Sequence, residues 1–159
     1  MATRVLTARR VLRFESIDAV LTEVDRLASV ERQGRLRASG NWSGGQVLNH
    51  LAAWVEYAYT GTPMKTPWLI RLILRLRRSA FLNKPMPAGV RIPGVAGGTL
   101  ATEPAEFATA LARYRAALDR LKREAPTLPH QVFGPMPHED WIKINLRHAE
   151  LHLGYLSGD

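Results

Sequence analysis

Gly40-Asn41-Trp42-Ser43-Gly44-Gly45-Gln46-Val47-Leu48-Asn49-His50-Leu51-Ala52-Ala53-Trp54 passes from a polar, glycine-bearing approach into an apolar helix. Ser43, with Gln46 three residues later, has the form of a capping box, in which each side chain satisfies a backbone N–H of the other residue. Val47, His50, Leu51, Trp54 and Tyr57 or Ala58 then recur at helical spacing and make one face. The spacing predicts a helix over about residues 43–60, stopped by Gly61 and Pro63. A histidine in the middle of that face is the first sign of chemistry, because a buried imidazole needs a partner.

Outward from this stretch, Ile17, Val20, Leu21, Val24, Leu27 and Ala28 give a stripe over about residues 16–33, with Ser16 as N-cap and Gly34 as stop. Phe107, Leu111, Tyr114, Leu118 and Leu121 form another. Its helix is expected to start near Thr102, with Glu103, Pro104 and Glu106 in the first turn and Lys122 and Arg123 at the negative end of the dipole. A last helix starts near Pro137, with Glu139 and Asp140 in its first turn, and ends before Gly158. Residues 61–101 form a long connection, with a short amphipathic helix expected over 66–82 and a Pro- and Gly-rich stretch over 84–98. Connections of this length inside a domain tend to be functional, and they permit a crossover. Residues 11–14 can be extended but are a poor basis for a sheet. The expectation is an all-α fold: one four-helix-bundle domain over residues 1–159, with an N-terminal arm, 1–15, and a long crossover connection, 61–101, carrying an extra short helix.

A chain of 159 residues can bury a core without a disulfide, and it has no cysteine. That removes a thiolate metal site and a cysteine nucleophile from consideration. No uninterrupted apolar stretch marks a secretory signal in residues 1–14, and no run approaches a membrane span, so a cytoplasmic protein is expected. The net charge of +8 is concentrated. Lys65, Arg71, Arg75, Arg77, Arg78, Lys84 and Arg91 are accompanied by no acid, and Arg4, Arg9, Arg10 and Arg13 precede the first acid, Glu15.

His148 and His152 are four residues apart and share one helix face with Trp141, Asn145 and Tyr155. A plain core helix would carry Leu or Ile there. If the second and last helices face each other, His50 meets this pair, and three neutral imidazoles make a catalytic-type metal site with open positions. Zinc, nickel, iron and manganese all accept such ligands. An HxxxH pair also occurs on surfaces, and a lone core histidine is often only hydrogen-bonded, so spacing alone leaves both readings open. His130 and His138 lie in or beside a loop and are expected to be solvent-exposed. Gln46 and Asn145, each about one turn before a candidate ligand, are candidates to orient it or to bind cofactor or substrate, although the capping box already engages Gln46. Trp54 is a third such candidate, and with Tyr57, Trp141 and Tyr155 it can line a pocket or simply pack in the core. Glu56 and Glu150 point away from the histidine faces, leaving no obvious carboxylate base.

The stretch 40–54 resembles the second-helix signature of the DinB-like superfamily. The resemblance is strongest to a branch described as a domain of unknown function, which reads G-N-W-S-x-x-Q-x-x-x-H-L-A. Arg10-Val11-Leu12-Arg13-Phe14, Phe133-Gly134, Trp141 and Arg147-His148-x-x-x-His152-Leu153 extend it across nearly the whole chain. One departure is Leu151, where the branch often has a further histidine. The resemblance implies a four-helix bundle with a divalent metal, zinc or nickel before iron or manganese, held by His50, His148 and His152. It also implies membership of a group that includes thiol S-transferases and a mycothiol-dependent isomerase, in which a metal lowers the pKa of a low-molecular-weight thiol.

The functional expectation is therefore a metal-dependent enzyme acting on a small molecule, such as a thiol-dependent S-transferase. A metal-dependent hydrolase and a non-catalytic binding or stress-response bundle are the alternatives. Within 67–82, Arg71, Arg75 and Arg78 align, while Trp68, Leu69, Leu72, Ile73, Leu76 and Phe81 lie mostly elsewhere. The favoured reading is a lid helix packed over the bundle with a solvated basic face. It ranks above an anionic membrane surface and above nucleic acid, for which no motif appears. Exposed apolar surface on this helix would favour a homodimer.

Overall fold

Each of the four long helices buries its stripe against two neighbours. The computed structural model describes residues 9–158, so residues 1–8 of the expected arm, Arg4 among them, and Asp159 lie outside the described residues. The long helices are α1 (Ile17–Arg32), α2 (Gly44–Thr60), α5 (Phe107–Arg123) and α6 (His138–Leu153). Both α1 and α2 pack against α5 and α6, so the order around the bundle is α1, α5, α2, α6. The crossover between α2 and α5 carries two short helices, α3 (Trp68–Leu76) and α4 (Arg78–Asn83), and a 3-10 turn, Ala96–Gly98. Val24, Leu27, Leu48, Leu51, Tyr114, Leu118, Leu121 and Leu153 fill the centre.

The expected caps of α1 are present: Ser16 Oγ accepts from the Ala19 N–H at 3.1 Å, and Gly34 ends the turn at φ +66°. The capping box on α2 is only half made. Ser43 Oγ accepts from the Gln46 N–H, but the Gln46 amide turns away and donates to the Thr102 carbonyl. The reason lies in residues 100–106, which run non-helically across the start of α2. For the same reason α5 begins at Phe107 rather than near Thr102, capped by Glu106, whose carboxylate accepts from the Ala108 and Thr109 N–H groups.

The expected single helix over 66–82 is broken at Arg77. This turns α4 against α6, where Leu82 is buried and Arg78 pairs with Asp140. α3 fully buries none of its residues; Ile70 and Leu74 turn inward, while Trp68, Leu69, Leu72, Ile73 and Leu76 face outward. A short antiparallel pairing, β1 (Arg37–Ala38) with β2 (Leu156–Ser157), was not anticipated; two-residue strands carry no alternating pattern. Residues 11–14 form no strand. They are clamped to α6 by Glu150, which accepts from the Phe14 N–H at 2.7 Å, and by buried Arg147, which donates to the Phe14 carbonyl.

The glycine pair opening α2 has a steric cause. A Cβ on Gly45 would lie 2.1 Å from the Ala105 carbonyl oxygen, so only glycine lets the 100–106 segment cross this closely. Gly45→Ala is expected to destabilise the fold by about 1–3 kcal/mol through overpacking, read as a lower denaturant midpoint with unchanged slope. Unaltered stability would mean that the segment does not lie against α2 in solution.

Candidate metal centre

α2 and α6 bring the three expected histidines together. His50 comes from the middle of α2, and His148 and His152 come from successive turns near the end of α6. One nitrogen from each ring lies within 4.8 Å of the others. The His50 and His148 Nε2 atoms are 3.2 Å apart. Ligand nitrogens of a tetrahedral site with bonds of about 2.0–2.1 Å stand roughly 3.3 Å apart. That pair therefore already has ligand spacing.

His50 is oriented from behind. Its Nδ1–H donates to the Leu100 carbonyl at 2.9 Å, so Nδ1 holds the proton and Nε2 keeps a free lone pair turned toward His148. Ala101, which follows, sits at φ +56°, a strained region for a residue with a Cβ. Aromatic walls enclose the rings. Trp42 stacks on His152 at 5.4 Å between centroids, and Trp54 stands edge-on to His148 at 5.6 Å.

Burial pushes all three imidazoles toward the neutral form. His50 falls to about 4, with the Leu100 and Ala101 carbonyls opposing the shift. His152 falls to about 3, helped by the neighbouring His50 and by the charge of Arg9. His148 is held well below its usual value by burial and then by the other two rings. At neutral pH three lone pairs are thus available without proton release, the donor set a borderline divalent ion takes.

The rings form one wall of a cavity of about 470 Å³ roofed by the crossover. Its lining is largely apolar, with Ile70, Leu74, Phe81, Met86 and Ile92 from the crossover facing Ile144 and Leu151 of α6. Lys65 and Arg91 stand in it, and among the described residues no carboxylate lines it. Trp54 and Trp141 also line it, each with an indole N–H that is buried without a hydrogen-bond partner.

The other sequence candidates divide. Asn145 lies in the cavity wall, its amide donating to the Trp141 carbonyl at 2.9 Å. Gln46 does not line the cavity, being spent on Thr102. Tyr155 lies past the end of α6, against Gly40 and under Arg9, outside the cavity. Glu56 is taken up by Arg113, and Glu150 by Arg147 and the Phe14 N–H.

The expectation that His130 and His138 are exposed is wrong. His130 lines the cavity against Phe133 and Trp141, and its Nδ1 accepts from the Val132 and Phe133 N–H groups. The tight turn closed by the His130–Gly134 bridge folds it inward, and burial lowers it to about 4. His138 donates from Nε2 to the Leu121 carbonyl at 2.6 Å, tying the start of α6 to the end of α5. Sequence reasoning also passed over Trp42, Arg9 and the Leu100 carbonyl as parts of the site. None lies on a helical stripe, and the only signal was the place of Trp42 in the quoted motif.

Residues 6–158 match the model of a family described as "Protein of unknown function (DUF1569)". That family is grouped with metal-binding four-helix-bundle proteins of the broader DinB-like superfamily. No curated protein and no solved structure matches the chain.

The depressed imidazoles give a pH dependence of definite sign. In an unfolded chain His50, His130 and His152 titrate near 6.5, whereas folded they titrate at about 4, 4 and 3. The unfolded state binds more protons between those values, so this stability is fully present above about pH 6.5 and is lost as pH falls toward 4 and then 3. Thermal unfolding in chelator should show a midpoint that is level above pH 7 and drops steeply between pH 6 and 4. His130→Gln/His152→Gln should flatten that drop; an unchanged slope would refute neutral burial of these rings.

Proposed function

We propose a function from one premise: the chain belongs to the DUF1569 family, which is grouped with metal-binding four-helix-bundle proteins of the broader DinB-like superfamily. On that premise it is a metal-dependent enzyme that joins a low-molecular-weight thiol to an apolar electrophile, with His50, His148 and His152 as the metal ligands. The observation that carries this reading is the convergence of three neutral imidazoles on the wall of an apolar cavity that has no carboxylate among its described lining residues.

A divalent ion there supplies Lewis acidity, lowering the pKa of a thiol or water it coordinates. The missing carboxylate favours the thiol. Water needs a general base in the wall far more than a thiol, whose own pKa is already near 8.5. The chain's residues do the rest. Lys65 and Arg91 draw an anionic thiol to the cavity. The unpaired indole N–H groups of Trp54 and Trp141, with Asn145, supply hydrogen bonds to acceptor atoms on the bound molecule. Ile70, Leu74, Phe81 and Ile144 take its apolar body and keep out water. Gln46 supports the site indirectly, by holding the Thr102 segment beside Leu100 and hence the ring of His50.

Elemental analysis of untagged protein should find close to one zinc or nickel per chain, lost in His50→Ala and in His148→Ala/His152→Ala. Thiol-dependent turnover of an electrophile panel should fall by about a hundredfold or more in the same variants, the scale on which even outer-shell changes act. Stoichiometric metal without turnover for any thiol would favour the non-catalytic binding reading. Turnover surviving both variants would remove the metal from the reaction.

A further inference from the structure

The crossover presents a surface that the site does not use. α3 exposes Trp68, Leu69, Leu72, Ile73 and Leu76, with Trp68 at 74% and Leu76 at 82% of full accessibility. At 100° per residue these five occupy one continuous arc of about 140°. Arg75 borders that arc on one side and Arg77 on the other. The opposite edge of the helix, Ile70 and Leu74, lines the cavity. The arrangement expected of a lid over residues 67–82, apolar inward and basic outward, is thus largely inverted in α3: a narrow apolar edge faces in and a broad apolar arc faces out.

The charges around the arc are of one sign and uncompensated. Lys65, Arg75, Arg77, Lys84 and Arg91 are exposed, and among the described residues none of them makes an ion pair. Arg78 differs from them in pairing with an acid, Asp140. An aromatic-edged apolar arc between cations is the composition of a helix that lies in the plane of a lipid interface.

We propose that α3 is an interfacial helix that seats this protein on an anionic lipid surface. Trp68, Leu69, Leu72, Ile73 and Leu76 enter the boundary between headgroups and acyl chains, and Arg75, Arg77 and Lys84 meet the phosphates. Charge complementarity selects this occupant. A second copy of the chain docked face to face would bring two unpaired cationic clusters together with no acid between them, whereas an anionic bilayer supplies the counter-charge and the apolar layer at once. A nucleic acid would match the charge and leave the apolar arc in water. The docked face adjoins the cavity, because the same helix lines it from its other edge. The inference is independent of the metal centre.

Flotation of the full chain with phosphatidylcholine vesicles, with and without half phosphatidylglycerol, tests it at low and at 0.5 M salt (about 10 Å against 4–5 Å screening at 0.1 and 0.5 M). The expected result is saturable binding to the phosphatidylglycerol vesicles, at least tenfold weaker on phosphatidylcholine alone and strongly reduced by salt. Leu72→Glu/Ile73→Glu should lose binding at least tenfold, and Arg75→Gln/Arg77→Gln should lose the preference for the anionic lipid. All four side chains are exposed, so circular dichroism and metal content should match the unmodified chain. The proposal is overturned by absence of wild-type binding at low salt, or by binding that both variants retain. It is equally overturned if sedimentation finds a concentration-dependent dimer, abolished by Leu72→Glu/Ile73→Glu, in a chain that does not float.

Discussion

Three imidazoles share one layer between α2 and α6, and the rest of the site is arranged around the cost of keeping them there. A buried ring with an unused lone pair or an unused N–H is destabilising unless something answers it. Leu100 answers the Nδ1–H of His50, Trp42 and Trp54 cover the ring faces, and the remaining lone pairs converge within 4.8 Å. Converging neutral donors, on a cavity that no carboxylate lines among the described residues, are a poor core and a good cation site. A hydrophobic layer of Leu or Ile would pack at no such cost, so the rings are better explained by a capacity to hold a metal ion than by what they stabilise.

The segments that serve this layer come from outside the four stripes. Residues 100–106 cross the start of α2 because Gly45 offers no Cβ, and in crossing they place one carbonyl on His50 and another on Gln46. The pairing of Arg37–Ala38 with Leu156–Ser157 ties the approach to α2 onto the end of α6, which brings Trp42 to within stacking distance of His152. Residues 9–15 are fixed the same way, since the Arg10 N–H donates to the Gly154 carbonyl and Arg9 lies in the vicinity of His152. The crossover then roofs the rings with apolar side chains and leaves cations in the wall, which couples one long connection to both the cavity and the outer surface of α3.

Much of this was legible in the chain as written. Periodicity placed the four long helices, with Ser16 and Gly34 bounding α1 as expected. The mixed stripe on α6 and the lone histidine on α2 picked out the three residues that do converge. Where reading failed, the failure was one of direction. His130 looked like a loop residue, and its turn folds it inward. Glu103 and Pro104 looked like a first helical turn, yet the helix waits for Glu106, because the preceding backbone is spent on α2. The apolar residues of α3 read as the inner face of a lid, and five of them, Trp68, Leu69, Leu72, Ile73 and Leu76, face out.

The sequence by itself determined the local terms: which segments coil, which face of each is apolar, and that imidazoles sit where aliphatic side chains would otherwise be. These follow from short-range periodicity and capping, which depend only on neighbours along the chain. Tertiary structure alone decided which carbonyl holds His50, which indole covers His152, that Gln46 reaches Thr102 instead of closing its own cap, and which way α3 turns its apolar arc. Each of those depends on residues dozens of positions apart meeting after the helices have packed, and no period along the chain encodes such a meeting.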